Sequence, residues 1–424
     1  MKFTVVTYGT EGDTRPMAAL CRGLMNAGHE ARLFADRATL STAEALGVPT
    51  TPIAGDIRGT LQSGGSIAKV VEQQGLNATA KALASIANVN AEQWLRTVVE
   101  VGKDCDAVIA SGLTAFVGLS AAEYLRVPVI GAGMIPITPT TSFPSPFLPP
   151  GVVPRWLNAG SHGFVNNMLW WAFRKATNRA RAKVCRLPPR RQLWTTHPML
   201  YGVSSHLLSK PFDWPANATI CGQWLLPSSN WLPPADLCDF LYRGDPPLYV
   251  GFGSMAGFDR KHMLRAVVSA VGGRRTLFYP GWSGVAASDL PSNFFVIGDT
   301  PHDWLLPKTS LVIHHGGSGT SHSACRAGVP SVVVPFVGDQ FFWADRLRNA
   351  GVAARVPNGK SLQSADLAQS IAIAESEPVR LRARTLGKQM RAETGLANAI
   401  SAIEAVMQVR TGETRSNKRI SSAS

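Results

Sequence analysis

Three separated clusters hold residue types that can do chemistry together. At 312–345 the chain reads VIHHGGSGTSHSACRAGVPSVVVPFVGDQFFWAD. Val312 and Ile313 read as the end of a buried strand. His314 and His315 follow, and Gly316, Gly317 and Gly319 then let backbone N–H groups, with the Ser318 and Thr320 hydroxyls, come close to a ligand at the start of a helix. Amides and dipole at a helix start favour an anion, here a diphosphate. The next strand, 331–335, delivers Gly338, Asp339 and Gln340 to the same crevice, where a carboxylate and an amide suit sugar hydroxyls. Far upstream, Gly12 and Asp13 follow the first strand. Asp13 either caps the helix entered at Pro16 or takes a proton from a bound hydroxyl. The two histidines also have a plain alternative, a buried strand end.

These groups can meet only if strands deliver them to one edge. Residues 2–8 alternate as a buried strand, 16–27 read as a helix closed by Gly28, and 30–35 form the next strand, a βαβ unit. Strand-like runs at 107–110 and 128–131 flank a helix at 115–125. After a connector rich in Pro and Trp, strands are expected at 247–251, 275–279, 294–297, 311–314 and 331–335, with helices between them. A chain of 424 residues exceeds the size at which one core stops growing. The expected fold class is therefore α/β, two doubly wound Rossmann-like domains whose carboxyl ends face each other across a cleft. The expected boundaries are a first domain over 1–223, a linker over 224–246, a second domain over 247–394, a helix over 395–409 and an unstructured, Ser-rich and charged tail over 410–424.

Composition narrows the class. Apolar content of 45% and charged content of 17% describe a folded globular chain. The six cysteines form no CxxC pair, so neither a zinc site nor a disulfide framework is indicated. The chain opens without a charged and apolar leader, and the longest uncharged stretch, 127–154, is too rich in proline for a membrane span; a cytoplasmic protein is expected. The net charge of +14 has a local source in Arg174, Lys175, Arg179, Arg181, Lys183, Arg186, Arg190 and Arg191, just after Phe164, Met168, Leu169, Trp170, Trp171 and Phe173. That pairing suits either peripheral contact with an anionic membrane or an ordinary solvated helix with one core face. No nucleic-acid motif accompanies the charge, so no nucleic-acid partner is expected.

The 312–345 block resembles the donor-binding signature of the nucleotide-sugar-dependent glycosyltransferases that act on small molecules. YGTEGDTRPMAAL at 8–20 is similar to the opening of the subgroup that holds sterol glucosyltransferases, glycopeptide-antibiotic glycosyltransferases and mycobacterial glycolipid glycosyltransferases. YVGFGSM at 249–255 and YPGW at 279–282 follow in the family's order, and the resemblance runs from residue 1 to about residue 409. It implies the GT-B architecture, with the 395–409 helix crossing back to the first domain. The implied activity is a metal-independent, inverting transfer of a hexose, foremost glucose from UDP-glucose, to a hydroxyl of a hydrophobic small molecule or lipid such as a sterol, triterpenoid or glycolipid precursor.

Such a transfer needs a base, a site for the departing diphosphate and an in-line approach. The resemblance puts Gly12 and Asp13 where the subgroup carries its GD pair, with Asp13 as base. The aspartate of the plant-type relay has no counterpart, since Ser111 and Gly112 stand in that loop. His314 aligns with the histidine that contacts the diphosphate, and His315 with a variable place. Trp282 matches the tryptophan that stacks the nucleobase, with core packing as the rival, and Ser254 would bond a phosphate oxygen or else cap a helix. Acceptor contacts are assigned to Arg15, Met134, Ile135, Phe143, Phe147 and Trp170, in and around the stretches 55–66, 135–154 and 164–173. Asp104-Cys105-Asp106 has the form of a metal-binding DxD, yet it precedes a buried strand and reads as a turn, so no metal is expected. Where the plant signature has a ribose-binding glutamate this chain has His322, which leaves UDP-sugars and dTDP-sugars both open. The alternatives are a dTDP-deoxysugar transferase acting on a peptide or polyketide, a sugar-nucleotide epimerase, and a non-catalytic nucleotide-sugar-binding partner.

Overall fold

The structure, a computed structural model, describes residues 1–61, 76–226, 231–253, 260–281, 285, 287–356 and 359–421. Two all-parallel sheets organise them. The first has the order β3-β2-β1-β4-β5-β6-β7, built from β1 (Lys2–Val6), β2 (Glu30–Asp36), β3 (Thr50–Ile53), β4 (Ala107–Ala110), β5 (Val129–Gly133), β6 (Met199–Tyr201) and β7 (Ala218–Ile220). The second has the order β10-β9-β8-β11-β12-β13, with β8 (Leu248–Gly251), β9 (Thr276–Tyr279), β10 (Phe294–Val296), β11 (Leu311–His314), β12 (Ser331–Val333) and β13 (Ala353–Arg355). The central strands are continuous apolar runs because helices cover both faces. In each sheet the order reverses beside the first strand, between β1 and β4 and between β8 and β11, which opens a crevice at the carboxyl ends.

The helices used below are α1 (Glu11–Asn26), α2 (Leu76–Val101), α3 (Ala115–Leu125), α4 (Asn158–Ala180), α5 (Ala235–Tyr242), α6 (Arg260–Val271), α7 (Ser318–Ala327), α8 (Gln340–Asn349), α9 (Ser364–Ala374), α10 (Glu377–Arg391) and α11 (Gly395–Ser421). Helix α1 starts at Glu11, five residues before the proline taken as its entry. Thr10 stands at its N-cap and the Thr10 N–H donates to Asp13 Oδ2 at 2.8 Å, so Asp13 lies in the first turn and holds the helix start from within. Pro16 has no N–H to give the Gly12 carbonyl, a loss tolerated because Gly12 is exposed to water.

The connector 224–246 is not bare chain: it contains α5, whose Leu237 is buried with Tyr249, Leu277 and Leu305 of the second domain. Helix α11 returns to the first sheet, burying Ala399 and Ile403 in the core with Leu20 and Leu24 of α1, and His29 meets Glu404 at 2.9 Å. It continues to Ser421, beyond the point where the sequence leads one to expect an unstructured tail. No proline interrupts 395–421, so helical hydrogen bonding can propagate despite the polar composition.

A further apolar cluster belongs to both domains. Phe143, Tyr201, Val203 and Trp214 from the first pack with Val333, Phe342 and Trp343 from the second, and Phe143 and Phe342 lie 5.3 Å apart.

Candidate functional site

The pairing register sets the line of site groups. His314 is level with Gly251 of β8 and Val333 of β12, so the loops leaving β8, β11 and β12 start side by side. Gly316 turns the chain with φ +91°, and a Cβ there would sit 2.8 Å from Val333 Cγ1 and 2.9 Å from the Gln340 carbonyl oxygen. Only glycine fits both demands. Gly317 is the N-cap of α7, and the first helical bond of that turn runs from Ser321 N–H to Gly317 C=O at 3.0 Å. The N–H groups of Ser318, Gly319 and Thr320 therefore have no acceptor within the helix and form a donor set for an anion.

His314 is fully buried, and its Nδ1 accepts from the Gly316 N–H at 3.1 Å. Burial, with the neighbouring His315 and His302 in the same direction, holds its pKa well below that of a free histidine. It is neutral, and because Nδ1 accepts, the proton resides on Nε2. That Nε2 is buried without a partner among the described residues, so the site contains an uncommitted donor beside the amide set. His315 is also neutral, pushed by burial to about 4. Ser318 is turned inward, its hydroxyl 3.4 Å from His322 Nδ1. His322, the position of the expected ribose reader, bonds its own helix carbonyl at Ser318 (2.8 Å) and lies edge-on to Trp343, 4.9 Å between centroids. It is buried in the helix packing.

Asp339 stands at the N-cap of α8 but makes no capping bond to it. Burial first, and then the charge of Asp13, raise its pKa to about 7. This second cause couples a carboxyl of one domain to that of the other. Gln340 is used differently from a plain sugar reader: its Oε1 accepts from Phe336 N–H (2.8 Å) and Val337 N–H (3.1 Å), bracing the loop that presents Asp339.

On the facing domain, Asp13 folds back over Gly9, where any Cβ would strike its carboxylate. Burial raises its pKa to about 6, against the bonds from Thr10 that lower it. Arg15, assigned to the acceptor, instead donates from Nη2 to Asp299 Oδ2 at 2.6 Å and from Nε to Glu11 Oε2 at 3.0 Å, linking the domains. His302 beside it escaped the sequence reading because nothing in its local pattern marks it. It contacts Tyr249 at 3.4 Å and is pushed by burial, and then by Arg15, to about 4.

Of the other acceptor assignments, Phe143 is 5% exposed in the interdomain cluster and Trp170 is 1% exposed, with its indole N–H on the Arg191 carbonyl at 3.0 Å. Both are core rather than lining, because an aromatic in a proline-rich stretch does not reveal which way it faces. Met134 packs under the first sheet, and Ile135 and Phe147 are half-buried. Gly12 is exposed at the start of α1. Ser254 and Trp282 lie outside the described residues, as does part of the 55–66 stretch. Asp106 accepts from the Lys2 N–H at 2.7 Å at the opposite edge of the first sheet, and among the described residues no three His, Cys, Asp or Glu side chains converge on a metal position.

Comparison with known proteins bears on the family and the fold. Residues 3–144 match the glycosyltransferase family 28 N-terminal domain, and residues 277–406 match the erythromycin biosynthesis protein CIII-like C-terminal domain. A sterol 3-beta-glucosyltransferase of Arabidopsis thaliana is 33% identical over 425 residues, covering 95% of this chain and 67% of that protein. One from Aspergillus terreus is 31% identical over 95% of this chain, which spans only 30% of the fungal protein. Among solved structures, the glycotransferase of kitacinnamycin superposes with a TM-score of 0.69 at 18% identity, covering 95% of this chain and 98% of that one. A glycosyltransferase of Streptomyces sp. SF2575, complexed with thymidine diphosphate, gives 0.62 at 18% identity over 96% and 99%. At such identities these two likenesses concern the fold alone.

Proposed function

The chain belongs to the GT-B glycosyltransferases related to sterol glucosyltransferases and natural-product glycosyltransferases, and from that premise we propose that it moves glucose from UDP-glucose to the hydroxyl of a sterol-like lipid, with inversion and without a metal. The observation that carries the reading is the buried, neutral His314 at the turn whose unpaired amides open α7, with the charge of Asp13 from one domain raising the pKa of Asp339 in the other. In this mechanism Asp13 takes the proton of the acceptor hydroxyl. The oxygen attacks the anomeric carbon from the face opposite the diphosphate, the carbon–oxygen bond to the diphosphate breaks, and UDP departs. Charge gathering on the β-phosphate meets His314 Nε2–H and the N–H groups of Ser318, Gly319 and Thr320, a preorganised donor set that does the work a cation does elsewhere. Asp339 orients the sugar through its hydroxyls.

With a pKa of about 6, Asp13 is mostly ionised at neutral pH yet basic enough to accept a proton in the transition state. The relatives that carry the acceptor reading are named for sterol and glucose. His322 supports a second reading: its imidazole is committed to Ser318 and Trp343, so a ribose 2′-hydroxyl has no reader at that position and a dTDP-sugar would be accommodated equally there.

The test is the full chain with UDP-glucose, UDP-galactose, dTDP-glucose and dTDP-rhamnose, a plant sterol as acceptor, and a chelator in parallel. The expected result is a β-linked sterol glucoside from UDP-glucose, in equal yield with chelator. Turnover confined to dTDP donors moves the assignment to the second reading. Loss of product on chelation removes the metal-free mechanism.

A further inference from the structure

Seventeen large apolar side chains stand exposed among the described residues, and seven of them fall at 152–171, including Trp156 at 81%, Trp171 at 61% and Phe164 at 58%. Scattered singly such residues need no account, but gathered along one element they mark a contact surface. Phe164, Met168, Trp171 and Lys175 recur at helical spacing, so they form one stripe of α4, apolar in its first half and basic where Arg174, Lys175 and Arg179 follow. The other face of α4 is already used: Trp170 and Phe173 are buried against Phe116.

The charge around the stripe has one sign. Between Glu123 and Asp213 the chain carries eleven Lys and Arg and no acidic residue, against a net +14 for all 424 residues. Arg181 and Arg190 are held by Glu123, and Lys183 by Glu92. Arg174, Lys175, Arg179, Arg186 and Arg191 are exposed and have no carboxylate partner among the described residues.

We propose that this face of α4 docks the protein on an anionic lipid bilayer. The apolar half, with Trp156 and Leu157 at its start, seats at the acyl boundary and the unpaired cations lie among the headgroups. No helix of the described residues is long and apolar enough to cross a membrane, so the contact is peripheral. The same helix holds the loop after β5: Asn158 Nδ2 donates to the Thr141 carbonyl (2.8 Å), Asn166 Nδ2 donates to that of Ile137 (3.1 Å), and His162 Nε2 meets that of Phe143 (3.0 Å). Asn158, His162 and Asn166 lie on the side of α4 opposite the stripe, so docking holds that loop about one helix diameter, roughly 10 Å, from the lipid. Delivery of a lipid acceptor there rests on the function proposed above; the docking itself does not.

The experiment is co-sedimentation of the full chain with phosphatidylcholine vesicles containing or lacking 30% phosphatidylserine, at about 150 mM salt, where exposed charges are largely screened beyond roughly 8 Å. Binding is expected to the anionic vesicles only. Lys175→Glu with Arg179→Glu should weaken it at least about 25-fold, from roughly five-fold per lost cation, and Phe164→Ser with Trp171→Ser should abolish sedimentation. Helical circular dichroism and UDP binding should stay unchanged in both pairs, which separates this result from failure of the transferase reading. The proposal is overturned if the wild type does not sediment with anionic vesicles, if neither pair of substitutions weakens binding, or if the stripe instead supports a concentration-dependent dimer that Trp171→Ser dissociates.

Discussion

Asp13 and Asp339 enter the cleft from opposite domains, each at the start of a helix, and they differ in what holds them. Asp13 is tied to its own helix through the Thr10 N–H and sits over Gly9, which fixes its direction; burial alone drives its pKa up, to about 6. Asp339 makes no capping bond to α8, is carried by a loop braced by Gln340, and owes part of its rise to about 7 to the charge of Asp13. A helix N-terminus lowers a carboxyl pKa, so both shifts run against the dipole; desolvation is the first cause of each, joined at Asp339 by the charge of Asp13. The fixed carboxylate suits a proton acceptor that must keep its geometry; the less tethered one suits a ligand's hydroxyls.

The largest effect should come from Asp13→Asn, which removes the proposed base while keeping the shape. A fall in kcat of roughly 10² to 10⁴ is expected, with UDP binding retained. Wild-type kcat/KM should rise with pH through about 6 and level above it, and the variant should lack that limb. Stability runs the other way. The folded pKa lies above the ordinary aspartate value of 3.8, so ionising Asp13 costs the fold, and that cost develops as pH rises between the two values. The Asn variant should therefore melt higher than wild type at pH 8 and equally below pH 3. Removing the Asp13 charge should also lower the apparent pKa of Asp339 from about 7, read by carboxyl carbon NMR. An unmoved Asp339 would break the comparison.

Next comes His314→Ala. Losing one preorganised donor to a developing oxyanion should cost roughly 10² to 10³ in kcat, accompanied by weaker UDP binding in calorimetry. Asp339→Asn should be milder, about 10- to 100-fold in kcat/KM, the worth of a hydrogen bond to a charged group, without altering the pH limb near 6. Equal collapse in Asp339→Asn and Asp13→Asn, with the same pH change, would mean that the two carboxylates act as one unit. Arg15→Gln should do least. The Arg15–Asp299 pair is partly exposed, at 39% and 64%, so a loss of about five-fold or less is expected, shrinking further as salt is raised.

Legibility in the sequence followed the strength of the local pattern. The runs at 2–8, 107–110, 247–251 and 311–314 read as strands because buried parallel strands are unbroken apolar stretches, and the glycines at 316–319 mark the turn without help. The strands β3, β6, β7 and β13 are three or four residues long at or near sheet edges, too short to show any period. Pro16 drew the start of α1 five residues too late, because proline is common at a first helical position and the Thr10–Asp13 pair was the better signal. Residue types singled out Asp13, His314 and Asp339 as candidates, and all three are set at strand ends or helix starts. What they could not announce was long-range: that Arg15 would turn to Asp299, that Phe143 and Trp170 would face inward, or that His302 would come against Tyr249.

The apolar seam in which Phe143 meets Phe342 has a practical consequence for exchanging parts between relatives. A chimaera cut at the connector would keep one half of a shared greasy joint and replace the other, leaving mismatched rings where the two lobes should grip. Recombining donor and acceptor halves therefore calls for transplanting both sides of that joint together, together with α11, which stitches the second lobe back onto the first.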